Sequence, residues 1–154
     1  MKKLLMILVM GLLLFNTSLA DDNNLKGIKE FKLFVRHEGD CNGENFVKDI
    51  NTSAKYILGN SKIKLTEEAS KEYLYIYIKT VSNSNLCASY LEVETFRFGN
   101  IKNSAGNQGF GPITSYKNSH IRASMPASNH KKAVIDKFES MIKKFVVEWM
   151  DSQK

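Results

Sequence analysis

Cys41 and Cys87 are the only cysteines in the chain, and bonding them would tie two distant segments together before any other packing is considered. Whether they bond depends on the compartment, and the first twenty residues bear on that. Lys2 and Lys3 form a positive start, residues 4–15 are apolar apart from Gly11, and Ser18 and Ala20 put small residues where a signal peptidase cuts. The apolar stretch is about a dozen residues against the roughly 20 that a membrane span needs, so residues 1–20 read as a secretory signal cleaved after Ala20. An exported chain with an even cysteine count forms a disulfide by default. Closing a loop of this span contributes up to about 4 kcal/mol. The rival reading is a metal site built from His37, Cys41 and Cys87. It lacks a fourth ligand and the paired-cysteine spacing of structural zinc sites, so neither metal nor cofactor is expected.

Residues 21–27 read as a polar, disordered tail, and residues 28–150 as one α/β domain with one core. Lys2 and Lys3 leave with the signal, which lowers the formal charge from +6 to +4. An excess that mild suits a soluble surface and does not favour nucleic acid as a partner. No second apolar run reaches membrane length, and no cysteine stands at the cleavage point to carry a lipid anchor. The short signal and the Asn, Lys and Ile content suggest a bacterial chain, periplasmic or secreted. Asn51-Thr52-Ser53 matches a glycosylation acceptor, but it falls inside a predicted helix.

The alternation of Phe31, Leu33 and Val35 predicts a first strand over 31–36. Turn residues follow at 38–43. Phe46, Ile50, Ala54, Ile57 and Leu58 recur at helical spacing, predicting a helix over 44–58 that Gly59-Asn60 stops. The clearest strand spans 72–80, where Leu74, Ile76 and Ile78 alternate with Tyr73, Tyr75 and Tyr77. Ile63 and Leu65 begin it or form a short strand of their own. A third strand is expected over 86–98. Residues 99–111, rich in Gly, Asn and Ser, read as a long exposed loop, with short edge strands near 112–116 and 120–125. The last element is an amphipathic helix over 130–150. Burying its seven large apolar side chains, Val134 to Trp149, is worth on the order of 10–20 kcal/mol gross.

This order implies an α+β, two-layer sandwich with both helices on one face of the sheet. A parallel crossover joins the first two strands. Strand one runs up to Cys41 and strand three starts at the same edge, where Cys87 lies, so Cα atoms within about 6 Å require strand three beside strand one. That predicts a split βαβ start, order 1-3-2, plus one or two edge strands. In element order and in its amphipathic closing helix the chain resembles small bacterial envelope domains, namely the amino-terminal domain of the translocation protein TolB and the lipopolysaccharide-assembly lipoproteins. No family motif is matched residue by residue, so no functional residue is carried over. The resemblance implies an envelope binding or assembly factor rather than an enzyme.

Candidate chemistry is sparse. His37, Glu38 and Asp40 cluster at the carboxyl end of strand one, where α/β folds often place sites, although solvated turn residues are the plainer reading. Glu92 and Glu94 project from one face of strand three, as acid/base pairs do, and as charges on a solvent face also do. His120 and His130 have no obvious partners. No Gly-x-Ser-x-Gly elbow and no phosphate loop is present, and Gly109-Phe110-Gly111-Pro112 is too short for one. No catalytic residue is assigned.

One surface stands out. If Leu74, Ile76 and Ile78 face the helices, Tyr73, Tyr75 and Tyr77 line the opposite face. Phe34, Tyr90, Phe96 and, further along, Phe98 join them by the same parity, with Lys32, Arg36 and Lys79 at the border. Such a face suits stacking or protein docking, though tyrosine also tolerates half-exposed strand positions. The expectation is a non-enzymatic envelope or secreted module that holds a protein or lipid-linked partner. The alternatives are an extracellular nucleic-acid or glycan binder and a small hydrolase using the residues around His37.

Overall fold

The computed structural model describes residues 25–154 apart from 40, 42, 44, 69–71, 84–85, 103–105 and 125–128. The expected signal, residues 21–24 and Asp40 lie outside the described residues. The elements in chain order are β1 (Glu30–Glu38), α1 (Phe46–Gly59), β2 (Lys64–Leu65), β3 (Glu72–Asn83), β4 (Leu86–Lys102), β5 (Gln108–Ser124) and α2 (His130–Ser152). The strands form one sheet in the order β2-β1-β3-β4-β5. β2 and β3 run parallel to β1, whereas β3, β4 and β5 are joined antiparallel.

The two-layer α+β sandwich follows from two patterns that meet. Along β3, Leu74, Ile76 and Ile78 are fully buried, and the tyrosines between them are half-buried on the other side. Phe46, Ile50, Ala54 and Leu58 of α1 and Val134, Phe138, Ile142 and Phe145 of α2 bury their helical stripes in the same core. Phe145 sits at its centre, with Phe31 edge-on at 5.6 Å and Tyr116 at 5.1 Å between ring centroids. Burial pushes the Tyr116 hydroxyl up to about 12.

Within the sheet, the strand that begins at Leu86 lies beyond β3 rather than between β1 and β3. Those two strands pair directly, from Lys32 opposite Tyr73 to Glu38 opposite Lys79. The reason is where Cys41 sits. It is not the end of β1 but three residues past it, so the connecting segment can cross the end of β3 to reach β4. Cys41 N–H donates to Thr80 Oγ1 at 3.4 Å, and Cys41 Sγ lies 3.0 Å from the Val81 carbonyl oxygen. Cys41 and Cys87 are bonded, with Cα atoms 5.8 Å apart. Gly39 makes the crossing possible. Its φ is +100°, and a Cβ there would lie 1.9 Å from Thr80 O.

The expected loop over 99–111 is instead the outer half of a long hairpin. β4 continues to Lys102 and β5 begins at Gln108, paired from Gly99–Gly111 to Lys102–Gln108. The separate edge strands expected near 112–116 and 120–125 are parts of β5. Glycines belong here for a packing reason. A Cβ at Gly99 would meet Ile113 Cδ1 at 2.9 Å, and one at Gly111 would meet Ile101 Cδ1 at 3.0 Å, so the isoleucine of each strand occupies space above a glycine of the other. A register shift between Thr95 and Phe96 marks a bulge that leaves Ser115 without a partner in β4.

The described part of the expected tail is ordered into a turn with Leu25 buried. The end of α2 holds it: Trp149 Nε1–H donates to Ile28 O at 2.7 Å, and Gln153 Nε2–H donates to Leu25 O at 2.8 Å.

Candidate functional site

Sheet register places Phe34, Tyr73, Tyr75, Tyr77, Tyr90 and Phe96 on the face away from the helices, together with Phe98 and Phe110. The eight rings form one connected array. Tyr73 is the node of its apolar end: Phe96 stacks on it at 5.3 Å, Phe34 lies at 5.7 Å, and Phe98 meets it edge-on at 5.9 Å. Phe110 stacks on Phe98 at 6.1 Å and carries the array onto β5. Toward the other end Tyr75 stacks on Tyr77 at 6.3 Å, and Tyr90 meets Tyr77 edge-on at 6.3 Å. Phe34, Phe98 and Phe110 are 44%, 52% and 73% exposed, too much for a second core. Exposed Val81, Leu86 and Ile121 extend the apolar surface beyond Tyr90.

A charged band crosses the middle, and it is nearly all paired. Tyr77 donates to Glu38 Oε2 at 2.9 Å, and Arg36 Nη2–H donates to Glu38 Oε1 at 2.6 Å. The Tyr77 hydrogen bond, then the one from Arg36, lowers the Glu38 pKa below its ordinary value. Tyr90 donates to Glu92, and Lys117 Nζ lies 2.9 Å from Glu92 Oε2 and 4.0 Å from Glu94 Oε2. Thr114 donates to Glu94 at 2.5 Å. Burial alone would raise the Glu92 pKa, but the hydrogen bonds from Tyr90 and Lys117 and the lysine charge outweigh it, so the carboxylate is held ionised. The bond to Glu92 in turn raises the Lys117 pKa.

The other candidate residues are not brought together. His37 and Glu38 leave β1 on opposite faces. His37 turns to the helix side, where its ring meets Phe46 edge-on at 5.0 Å and its Nε2 is 3.1 Å from Thr80 Oγ1. Glu38 joins the aromatic face. His120 and His130 both lie on the helix side, and His130, expected without a partner, is fully buried with Nε2 2.6 Å from Ser89 Oγ. Among the described residues no group of three His, Cys, Asp or Glu side chains could hold a metal. No described helix is long and apolar enough to cross a membrane.

Phe110, Val81, Leu86 and Ile121 are the members of this surface that sequence reasoning missed. For Phe110 a signal was available: Gly99, Ile101, Gly109, Gly111 and Ile113 hold odd positions and Phe98 and Phe110 even ones, a period of two.

No protein-family model and no curated protein matches the chain. Among solved structures it is similar to a minor lipoprotein from Acinetobacter baumannii, with a TM-score of 0.39, 13% identity, and 79% of this chain and 90% of that chain covered. It is also similar to rare lipoprotein B from Shewanella oneidensis, with a TM-score of 0.40, 12% identity, and 80% and 94% covered. Both names are those of bacterial lipoproteins.

Proposed function

We propose that the chain is an exported, non-enzymatic binding module of the cell envelope, and that its aromatic sheet face docks a partner protein. The observation that carries this reading is the connected ring array, which ends in phenylalanines open to solvent. An apolar, aromatic centre with paired charges around it is the anatomy of a protein interface. Contiguous exposed apolar surface of this kind is uncommon on proteins that work alone.

The charges argue against the alternatives. A nucleic-acid platform needs a cationic field, but Glu38, Glu92 and Glu94 share this face and neutralise Arg36 and Lys117. A glycan site would want carboxylates free to accept hydroxyl protons, and these three already accept from Arg36, Tyr77, Tyr90, Lys117 and Thr114. Hydrolysis by the residues around His37 is disfavoured because His37 and Glu38 point to opposite sides of the sheet.

A photo-reactive residue at Phe98, compared with one at exposed Tyr56 on α1, tests this in cells that export the chain. The Phe98 position should give one discrete protein adduct that Tyr75→Ala abolishes, and the Tyr56 position should not. No adduct from Phe98, or the same adducts from both positions, would contradict the reading.

A further inference from the structure

On the helix side of the sheet, a second surface carries charges that form no ion pair among the described residues. Ser89, Leu91 and Val93 of β4 face the helices, and their partners on β5 are Arg122, His120 and Asn118. Facing that end of β5, α2 presents a stripe at helical spacing: Lys132, Ala133, Asp136, Lys137 and Ser140. With Asn129 and Arg122 it encloses a groove of about 470 Å³. These residues form the flank of α2 beside its core stripe, and only Ala133 among them is apolar.

The charges in the groove are unbalanced. Arg122, Lys132 and Lys137 meet one carboxylate, Asp136, and among the described residues none of the four forms an ion pair. The other lysines of α2 do: Lys131 with Asp49 at 2.6 Å, Lys143 with Glu139 at 3.6 Å, and Lys144 with Glu148 at 3.7 Å. His120 registers the excess: after burial, the charges of Lys137 and Arg122 lower its pKa. The start of α2 adds the same sign. Asn129 makes no capping bond through its side chain, and no acidic residue occupies the first turn, where the helix dipole places partial positive charge.

We propose that this groove binds a phosphate group, with Arg122 as the forked donor and Lys132 and Lys137 as flanking charges. The phosphate can belong to a free ion or to an anionic lipid headgroup; the chemistry recognised is the same. The groove and the aromatic face lie on opposite sides of the sheet, so either assignment can fail without the other.

The test is a titration of the exported chain with inorganic phosphate at constant ionic strength, followed by amide and histidine-ring NMR. Saturable shifts should centre on residues 122, 132, 133 and 137, and the His120 pKa should rise as the anion offsets Lys137 and Arg122. The Arg122→Gln/Lys137→Gln double variant should lose affinity about ten-fold or more, whereas Lys143→Gln should not change it. Both altered side chains are outside the core, so thermal unfolding should stay that of the parent. Sedimentation with phosphatidylcholine vesicles, with and without phosphatidylglycerol, separates the sources. Binding only to the anionic vesicles, competed by phosphate, assigns a headgroup; phosphate binding without vesicle binding assigns a soluble ion. Shifts that spread over the surface lysines and persist in the double variant would overturn the proposal.

Discussion

At Gly39 the chain turns out of β1 with φ +100° and passes so close to Thr80 that a Cβ would lie 1.9 Å from its carbonyl oxygen. Gly39→Ala combines backbone strain with a clash that no rotamer relieves, and should cost about 3 kcal/mol or more. Urea unfolding would measure that loss, and non-reducing peptide mapping should show Cys41–Cys87 forming incompletely. A second residue-scale consequence is pH dependence. Burial, followed by the charge of Arg122, lowers the His130 pKa below its usual 6.5, and burial also lowers those of His37 and His120. For a histidine held neutral in the fold, the unfolded chain takes up the proton first. The contribution to stability is therefore complete above the unfolded pKa and is lost as pH falls from about 6.5 toward the lower folded values. Denaturation midpoints should drop between about pH 7.5 and about pH 5.5, and His130→Gln, which can keep a hydrogen bond to Ser89, should flatten that slope. An unchanged slope would place the proton uptake elsewhere.

At the scale of elements, α2 is held by burial rather than by its charges. Lys131 and Lys132 stand in its first turn and Asp151 in its last, each opposite in sign to what the helix dipole favours. Lys132→Glu should thus raise stability by about 0.3–1 kcal/mol while it ends phosphate uptake, a pair of opposite effects readable by thermal unfolding and titration. Elements with strong periodicity were legible in the sequence. The Leu-Ile-Ile and Tyr-Tyr-Tyr alternation of β3 placed both faces correctly, and the stripe from Val134 to Trp149 is the core stripe of α2. The β4–β5 hairpin was not legible, because its glycines read as loop; their purpose, space for Ile101 and Ile113, appears only once the strands are paired. The strand order was misread for a related reason. A disulfide fixes the distance between two cysteines, not between strand ends, and three residues past β1 suffice to cross β3. Residues 34, 73, 75, 77, 90 and 96 share a face as parity required, yet the pairing of the charges among them is a matter of register and side-chain reach.

Across the whole molecule, one helix closes the core, holds the start of the described chain and borders the proposed phosphate groove, while no described helix covers the far side of the sheet. Trp149→Phe would leave the Ile28 carbonyl unpaired and should cost about 1–3 kcal/mol, with faster proteolysis of the segment around Leu25. The central claim, that the open face is an interface and not a second core, is decided on β3, where adjacent Tyr75 and Ile76 point to opposite sides of the sheet. The measurement is urea unfolding of Tyr75→Ala and Ile76→Ala, read together with partner cross-linking from Phe98. Ile76→Ala should lower stability by about 2–5 kcal/mol. Tyr75→Ala should lower it much less, yet weaken partner binding by about 1–2 kcal/mol or more. Equal destabilisation by the two, with cross-linking from Phe98 unchanged in Tyr75→Ala, would contradict the account.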